Sequence, residues 1–430
     1  MVTIKPFKSM ILNPELTHRD ELLCPVYDTI DETEYARYGN EKNNVIHITS
    51  RRDGIRTNEF IGSAKKSLDR FIKEKILVER EHPAFYIYGI KYNLPENMLG
   101  EMPDIDQRNV YFAFGLVALT KVEEPGEGDI VGHERIFKKH TVERYDLMKA
   151  LGMNFSPIVA EYNMPGHDIN NMLEDYLGFR RPDLILRDDR PPLADLTLNG
   201  IRHLLWEITD PDIIQNIRKL MSDKRVMILD GHHRYTATRE LNIADNVEYT
   251  MMMFMEGGDR ALLLLPWHRC VRQVDVTGLR SQVREHFDTI WKGELNAEFY
   301  DMLQAKEDDY DVRIGLYDGN EFCILKAHKD EVAGLSARLG EKVGLDNISL
   351  NEWIIGPCAG DNNANQVVFV GSTAEAIRKV DKHGFNAAFL MRPLTIEDVE
   401  YKAHVEMKNF PQKSTLFLPK VAEGIMMRRF

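Results

Sequence analysis

The 430 residues exceed what one ordinary core organises, and 43% hydrophobic with 29% charged residues is the make-up of a folded protein, not of a disordered or fibrous one. A formal net charge of −13 argues against a protein that coats nucleic-acid phosphates, which needs a basic face, but leaves room for a local basic site. No run reaches the ~18 apolar residues of a membrane helix, the start Met1-Val2-Thr3-Ile4-Lys5-Pro6 lacks a signal peptide's apolar stretch, and Cys24, Cys270, Cys323 and Cys358 are too scattered for a zinc or dithiol motif, so a cytoplasmic protein with reduced thiols and no membrane partner is expected.

In chain order, the alternation Val45-Ile46-His47-Ile48 predicts a strand. Phe60, Ile61, Ala64, Leu68, Phe71, Ile72 and Ile76 recur at helical spacing and predict a helix over residues 60–78. Phe85-Tyr86-Ile87-Tyr88 and residues 111–119 predict two strands of one sheet. Residues 123–129, acidic and glycine-rich, predict a solvated turn without the EF-hand spacing. A helix over 142–151 ends at Gly152, and Ile158-Val159-Ala160 is a strand. Residues 187–192 predict an exposed loop, 203–208 a strand, and Asp210-Pro211 a helix start. Val226-Met227-Ile228-Leu229, residues 249–255 and residues 261–265 are short continuous apolar runs, as in strands buried on both faces, with Glu256-Gly257-Gly258-Asp259 as a hairpin turn between the last two. From about Val271 a helix over 279–287 and strands over 312–317 and 322–326 open a second unit, which divides the chain into domains of residues 1–270 and 271–430.

The strongest chemical signal is Asp230-Gly231-His232-His233-Arg234, where a buried strand gives way to a helix. Glycine lets the backbone approach a ligand, the first helical N–H groups lack intrahelical partners, and the helix dipole favours an anion. Arg234 adds a planar fork matched to phosphate oxygens. Adjacent histidines point about a hundred degrees apart on a helix, so His232 and His233 do not readily share one zinc ion, and no metal ligands are assigned. In His133-Glu134 a carboxylate beside an imidazole is able to take a proton, hold a magnesium water or orient a hydroxyl; Phe137 stands where a zinc protease would place its second histidine. Asp28 offers either a second carboxylate or a turn cap, His268-Arg269 either the same sheet end or the surface, and Glu143-Arg144 is more often a surface pair. Lys413-Ser414-Thr415 sets a cation and two hydroxyls on a loop that lacks the glycines of a P-loop.

These residues carry a resemblance. With Lys5-Pro6-Phe7, Pro25-Val26-Tyr27-Asp28, Asn44 and His47, His133-Glu134, Asn154-Phe155-Ser156-Pro157, His203 and Trp206, Asp230 to Tyr235, Phe389 to Pro393, and Pro411-Gln412-Lys413-Ser414-Thr415 before Pro419-Lys420, nearly the whole chain resembles the bacterial and archaeal family known as domain of unknown function ten-fifteen. The chain departs from that pattern at Asn351 and Lys408, onto which no role is carried. Gly231-His232-His233-Arg234-Tyr235 is in turn similar to the nucleotide-phosphate turn of the ParB/sulfiredoxin fold, which ADP-dependent free-serine kinases also use. His232 stands where a sulfiredoxin has its catalytic cysteine, which argues against sulfinic acid reduction.

The resemblance implies an α+β protein with a mixed-sheet ParB/sulfiredoxin-like core and a second α/β domain. A nucleotide, ADP, ATP or CTP, is expected to be held by Asp230, Gly231, His232, His233 and Arg234, with Asp28 or Glu134 orienting the attacking hydroxyl or holding magnesium. Catalytic roles fall to Asp28, His133, Glu134 and His233, and substrate contacts to His47, Lys413, Ser414 and Thr415. The expected activity is phosphoryl transfer to a small hydroxyl metabolite, free serine among them. Two alternatives stay open: a phosphoserine-type phosphomonoester hydrolase, and a nucleotide-gated binding or regulatory protein without catalysis. The partner is a small molecule and not nucleic acid; the oligomeric state is left open.

Overall fold

Alternation decides the architecture of the larger sheet. Along Phe85–Asn93, Phe85 and Ile87 face one core while Tyr86, Tyr88 and Ile90 face the other; along Tyr249–Glu256, Met252 and Phe254 oppose Met251, Met253 and Met255 in the same way. Strands apolar on both faces must be covered on both. The computed structural model, which describes residues 2–94, 110–124, 128–136, 138–178, 190–359 and 366–430, covers them with helices. Thr57–Lys73, Lys138–Leu151 and His232–Asp245 pack on one face through Phe60, Leu68, Leu147 and Leu241, and Asp168–Leu177 and Pro211–Met221 on the other through Leu173 and Ile217.

Nine strands form this sheet in the order Ala194–Leu198, Ile201–Ile208, Phe85–Asn93, Val110–Lys121, Tyr249–Glu256, Ile158–Tyr162, Val226–Asp230 and Ile130–Gly132, with Ile4–Lys5 added beside Val110–Lys121. The sheet is mixed, as expected. Most neighbours are antiparallel, but Tyr249–Glu256 runs parallel to Ile158–Tyr162, and Val226–Asp230 parallel to Ile130–Gly132. A second sheet of six antiparallel strands starts at His268–Val271 and is also packed on both faces, by Val276–His286 and Lys329–Leu339 on one and by Ala297–Gln304 and Thr373–His383 on the other.

The chain then returns to the first sheet's helical layer. Glu134 bridges Phe410, Leu416–Leu418 pairs with Leu263–Leu265, Ala422–Glu423 with Cys24–Pro25, and Arg428–Arg429 with Met153–Asn154. This return overturns the expected hairpin across Glu256-Gly257-Gly258-Asp259, because Leu263–Leu265 takes a partner some 150 residues away in the chain rather than its neighbour in sequence. Two further expectations change. The run at residues 45–48 is a helical turn, Ile46–Thr49, whose first N–H, that of Ile46, is taken by the Asn44 side chain at 2.8 Å. The helix expected to reach residue 78 ends at Lys73; Lys75 turns to φ 55° and Leu77–Glu79 pairs as a strand with Met10–Leu12. Residues 125–127 of the acidic turn and 187–189 of the expected loop lie outside the described residues. All four cysteines are unpaired, and among the described residues no helix is long and apolar enough to cross a membrane.

Candidate functional site

The Val226–Asp230 strand ends in a turn that only glycine takes without strain. Gly231 sits at φ 95° as the N-cap of His232–Asp245, and a Cβ there would lie 2.9 Å from Arg234 Nη2. The first intrahelical bond is Tyr235 N–H to Gly231 O, so the preceding N–H groups at this terminus have no partner within the helix.

Arg234 turns back beneath the turn instead of reaching across it. Its Nη2 donates to Asp230 Oδ2 at 2.6 Å, and its Nη1 to Ser156 Oγ at 2.7 Å and to Pro157 O at 2.8 Å. Lys420 Nζ donates to the other oxygen of Asp230. Burial alone would raise the Asp230 carboxyl, but Lys420 and Arg234 outweigh it and hold the group well below the usual range. The turn is therefore pinned by a buried, fully ionised network.

The other wall comes from both ends of the chain. Asp28, on the 3-10 turn Tyr27–Thr29, faces Lys413 with Oδ2 3.6 Å from Nζ, and that ammonium lies 4.9 Å from the Trp267 ring centre. Burial opposes ionisation of Asp28, yet Lys413, Lys420 and Arg234 keep its carboxyl low. Burial also opposes the charge on Lys413, and Asp28, Glu134 and Asp230 raise it. Glu134 accepts from the Ser414 N–H at 2.7 Å; its burial pushes the carboxyl up to about 7, against the pull of Lys413. That value suits a group that must lose and regain a proton near neutrality.

His133 is fully buried behind this wall. Its Nδ1 lies 2.8 Å from Ile228 O, and a carbonyl only accepts, so Nδ1 carries the proton and Nε2 accepts from Thr415 Oγ1 at 2.9 Å. Burial lowers it to about 4, lowers His232 well below its ordinary value, and with His140 nearby lowers His233 to about 4. All three imidazoles are neutral at pH 7.

A cleft of about 590 Å³ is lined by Asp28, Glu134, the five residues 230–234, Lys413 and Thr415 together. Three other sequence candidates stand apart from its lining. His133 supports it from behind, Ser414 offers its backbone to Glu134 while its hydroxyl donates to Pro411 O, and His47 places Nε2 3.0 Å from Glu41 O. Tyr27, Arg135, Trp267, Gln412 and Lys420 line the cleft without having been singled out. Lys420 stands in the Pro419-Lys420 motif, and its ammonium is the signal; its distance in sequence from Asp230 hides the target. Arg269, fully buried, donates to Trp267 O at 2.9 Å and holds the loop that carries the indole. Arg144 stacks 3.9 Å over Tyr27 and bonds Thr49 O, so it braces the wall, while Glu143 pairs with Arg51 at 2.8 Å.

An open helix terminus, two lysines and, besides the paired Asp230, the carboxylates of Asp28 and Glu134 in one cleft form a set able to bind an oxyanion and to move a proton beside it. Among the described residues no group of three His, Cys, Asp or Glu is placed to hold a metal ion by itself. The chain belongs to the family described as "Protein of unknown function (DUF1015)", whose model matches residues 4–346. Among solved structures it is similar to a free serine kinase in complex with AMP, at 12% identity over 67% of this chain and 84% of that one, with a TM-score of 0.36. It is similar to SbnI with C-terminal truncation from Staphylococcus aureus, at 13% identity over 70% and 82% with a TM-score of 0.38, and to a conserved hypothetical protein from Pyrococcus furiosus, at 13% over 67% and 87% with a TM-score of 0.35. No curated protein matches the chain.

Proposed function

We propose that the cleft binds the phosphates of a nucleotide, ADP, ATP or CTP, and transfers a phosphoryl group to a small hydroxyl metabolite, free serine being the first to test. One observation carries this reading: the N-terminus of His232–Asp245 opens onto the same cleft as Lys413, Lys420, Asp28 and Glu134. Phosphoryl transfer demands chiefly positioning and charge neutralisation, which these groups supply. The backbone N–H groups after Gly231 would meet phosphate oxygens, and Lys413 and Lys420 would offset their charge. Arg234 acts by fixing Asp230 and the turn, since its terminal nitrogens already donate to Asp230, Ser156 and Pro157.

Glu134, with its carboxyl near 7, is the better placed of the two carboxylates to take the proton of an attacking hydroxyl, because Asp28 is held ionised by lysine and is a weak base. Magnesium usually keeps several waters and takes one or two carboxylates plus phosphate oxygens, which a cleft carboxylate and the bound nucleotide would supply. Asp28, held ionised beside the Lys413 ammonium, would carry the ion. The ion would draw off charge from the transferring phosphate.

A hydrolase acting on phosphoserine would use the same anion groups with water as the acceptor, and a nucleotide-gated regulator would bind without turnover. Incubation with magnesium, one of ADP, ATP or CTP, and serine or phosphoserine, followed by phosphorus NMR, separates the three. Phosphoserine formed from nucleotide is the expected result. Phosphate released from phosphoserine would favour the hydrolase, tight binding without change the regulator, and no binding of any phosphate compound would sink the phosphate site itself.

A further inference from the structure

The strands that end at Asp230 also have another end, and a second cavity lies there. It is an open depression between the Ile158–Tyr162 and Val226–Asp230 strands of the first sheet and the Ile396–Tyr401 helix with the turn after it. Glu161, paired in register with Met227, forms part of its wall. Glu161 is 3% exposed, and among the described residues neither of its side-chain oxygens has a hydrogen-bond partner. Leaving a buried acceptor unpartnered costs about 1–3 kcal/mol, more if charged, so such a group calls for an explanation, and one that also lines a depression has room for a ligand to give it.

The surroundings indicate the ligand's sign. Glu397 and Glu400 line the same cavity, and among the described residues no ion pair engages either one. Two cations share the lining, Lys224 with Nζ 3.0 Å from Asp223 and Arg225 with Nε 3.6 Å from Asp129, against the four carboxylates Glu161, Asp223, Glu397 and Glu400, so the lining is negative on balance. Glu397 and Glu400 add to burial in raising the Glu161 carboxyl, which marks uncompensated negative charge. A bare metal ion needs oxygens converging at about 2.0–2.6 Å, and no such group occurs among the described residues. An ammonium group differs, since its three donors diverge and each reaches a separate acceptor at hydrogen-bond distance. Met227, Tyr401 and Val405 supply apolar wall for attached methylenes.

We propose that this cavity is a second ligand site, which takes a small organic cation with a primary ammonium seated on Glu161 and flanked by Glu397 and Glu400. It is separate from the Asp230 cleft, with which it shares no lining residue, and does not depend on the function proposed for it.

The test is calorimetric titration of the full chain with 1,4-diaminobutane at constant ionic strength, repeated with magnesium chloride alone. Saturable binding is expected, weakened at least about tenfold, or ~1.4 kcal/mol, in Glu161→Gln, which keeps the shape and removes the charge. Should Glu161→Gln melt early, Glu400→Gln on the half-buried wall gives the same reading with less risk to the fold. Absence of saturable binding to the parent, equal binding by both variants, or displacement of the diamine by stoichiometric magnesium would each overturn the proposal.

Discussion

Two clusters of buried charge in this chain look alike on paper and differ in what they leave unused. Under the second sheet, Arg313 donates to Asp311, Glu307 and Met302 O, and Arg392 to Asp346, Ala305 O and Asp311 O, so guanidinium donors are consumed by carboxylates and carbonyls of the fold. At the Asp230 turn Arg234 is consumed in the same manner. There, however, the arginine forms only the floor. Above it stand Lys413 and Lys420, an open helix terminus and a carboxyl near 7, all facing a cleft. Charge density alone therefore does not mark a site; donors left facing a cleft do.

The comparison breaks first on stability. Arg234→Met and Arg313→Met each remove an arginine from a buried carboxylate, and each is expected to cost about 3 kcal/mol in denaturant unfolding, the low end for a broken buried pair, because Lys420 still holds Asp230 and the Glu307 N–H and Lys326 still face Asp311. Equal losses at the two places would confirm that both arginines are scaffold. A mild loss at Arg234 accompanied by abolished phosphate binding would instead return that residue to the role its sequence suggested.

Ligand binding gives the next largest difference. Lys413→Met should weaken nucleotide binding about ten- to a hundredfold, the worth of a charge-assisted hydrogen bond or two. Stability should move by less than about 1 kcal/mol, because the Lys413–Asp28 pair is a quarter exposed and 3.6 Å long. Lys326→Met, in the second cluster, should leave binding untouched. Calorimetry on the two variants side by side reads the contrast directly.

How much of this was legible follows the range of the contacts. The turn at Asp230 is written within ten residues, a strand, a glycine and a helix, and needs no other part of the chain to be recognised. The two-faced burial of Val226–Asp230 and Tyr249–Glu256 is also local, since each reads as an unbroken apolar run. Lys420 and Trp267 were not legible as cleft residues, because what brings them there is the return of the chain after Phe410 and its pairing of Leu416–Leu418 with Leu263–Leu265. Four-residue runs are ambiguous for the same reason: Val45 to Ile48 reads like a strand, and the Asn44 side chain, tied to Glu21 O and Leu23 O, takes the Ile46 N–H where the helical turn begins.

Acidity offers a third contrast. Glu134 has its folded value raised to about 7 from the ordinary 4.5, so the native state holds a proton that the unfolded chain has lost between those values. Stability from this group is greatest below about 4.5, falls as pH rises towards 7, and is flat above it. The proposed transfer has the opposite slope, rising through about pH 7 as Glu134 ionises. Glu134→Gln should flatten both curves, measured by melting against pH and by rate against pH; a rate profile unchanged in that variant would remove Glu134 as the base.

The smallest effect is expected at His47. Its Nε2 meets the Glu41 carbonyl at 3.0 Å on the Ile46–Thr49 turn, and its ring is absent from the cleft lining, although it stands in the same run of residues that the family resemblance singles out. Losing one half-buried hydrogen bond costs about 0.5–1.5 kcal/mol, so His47→Ala should lower the melting temperature slightly and leave nucleotide and serine affinities where they were. A serine-specific loss in that variant, with nucleotide binding intact, would mean that the bound state draws the Asn44–Ser50 turn towards the cleft. The substrate would then sit between Tyr27 and that turn, and not against the Lys413 wall.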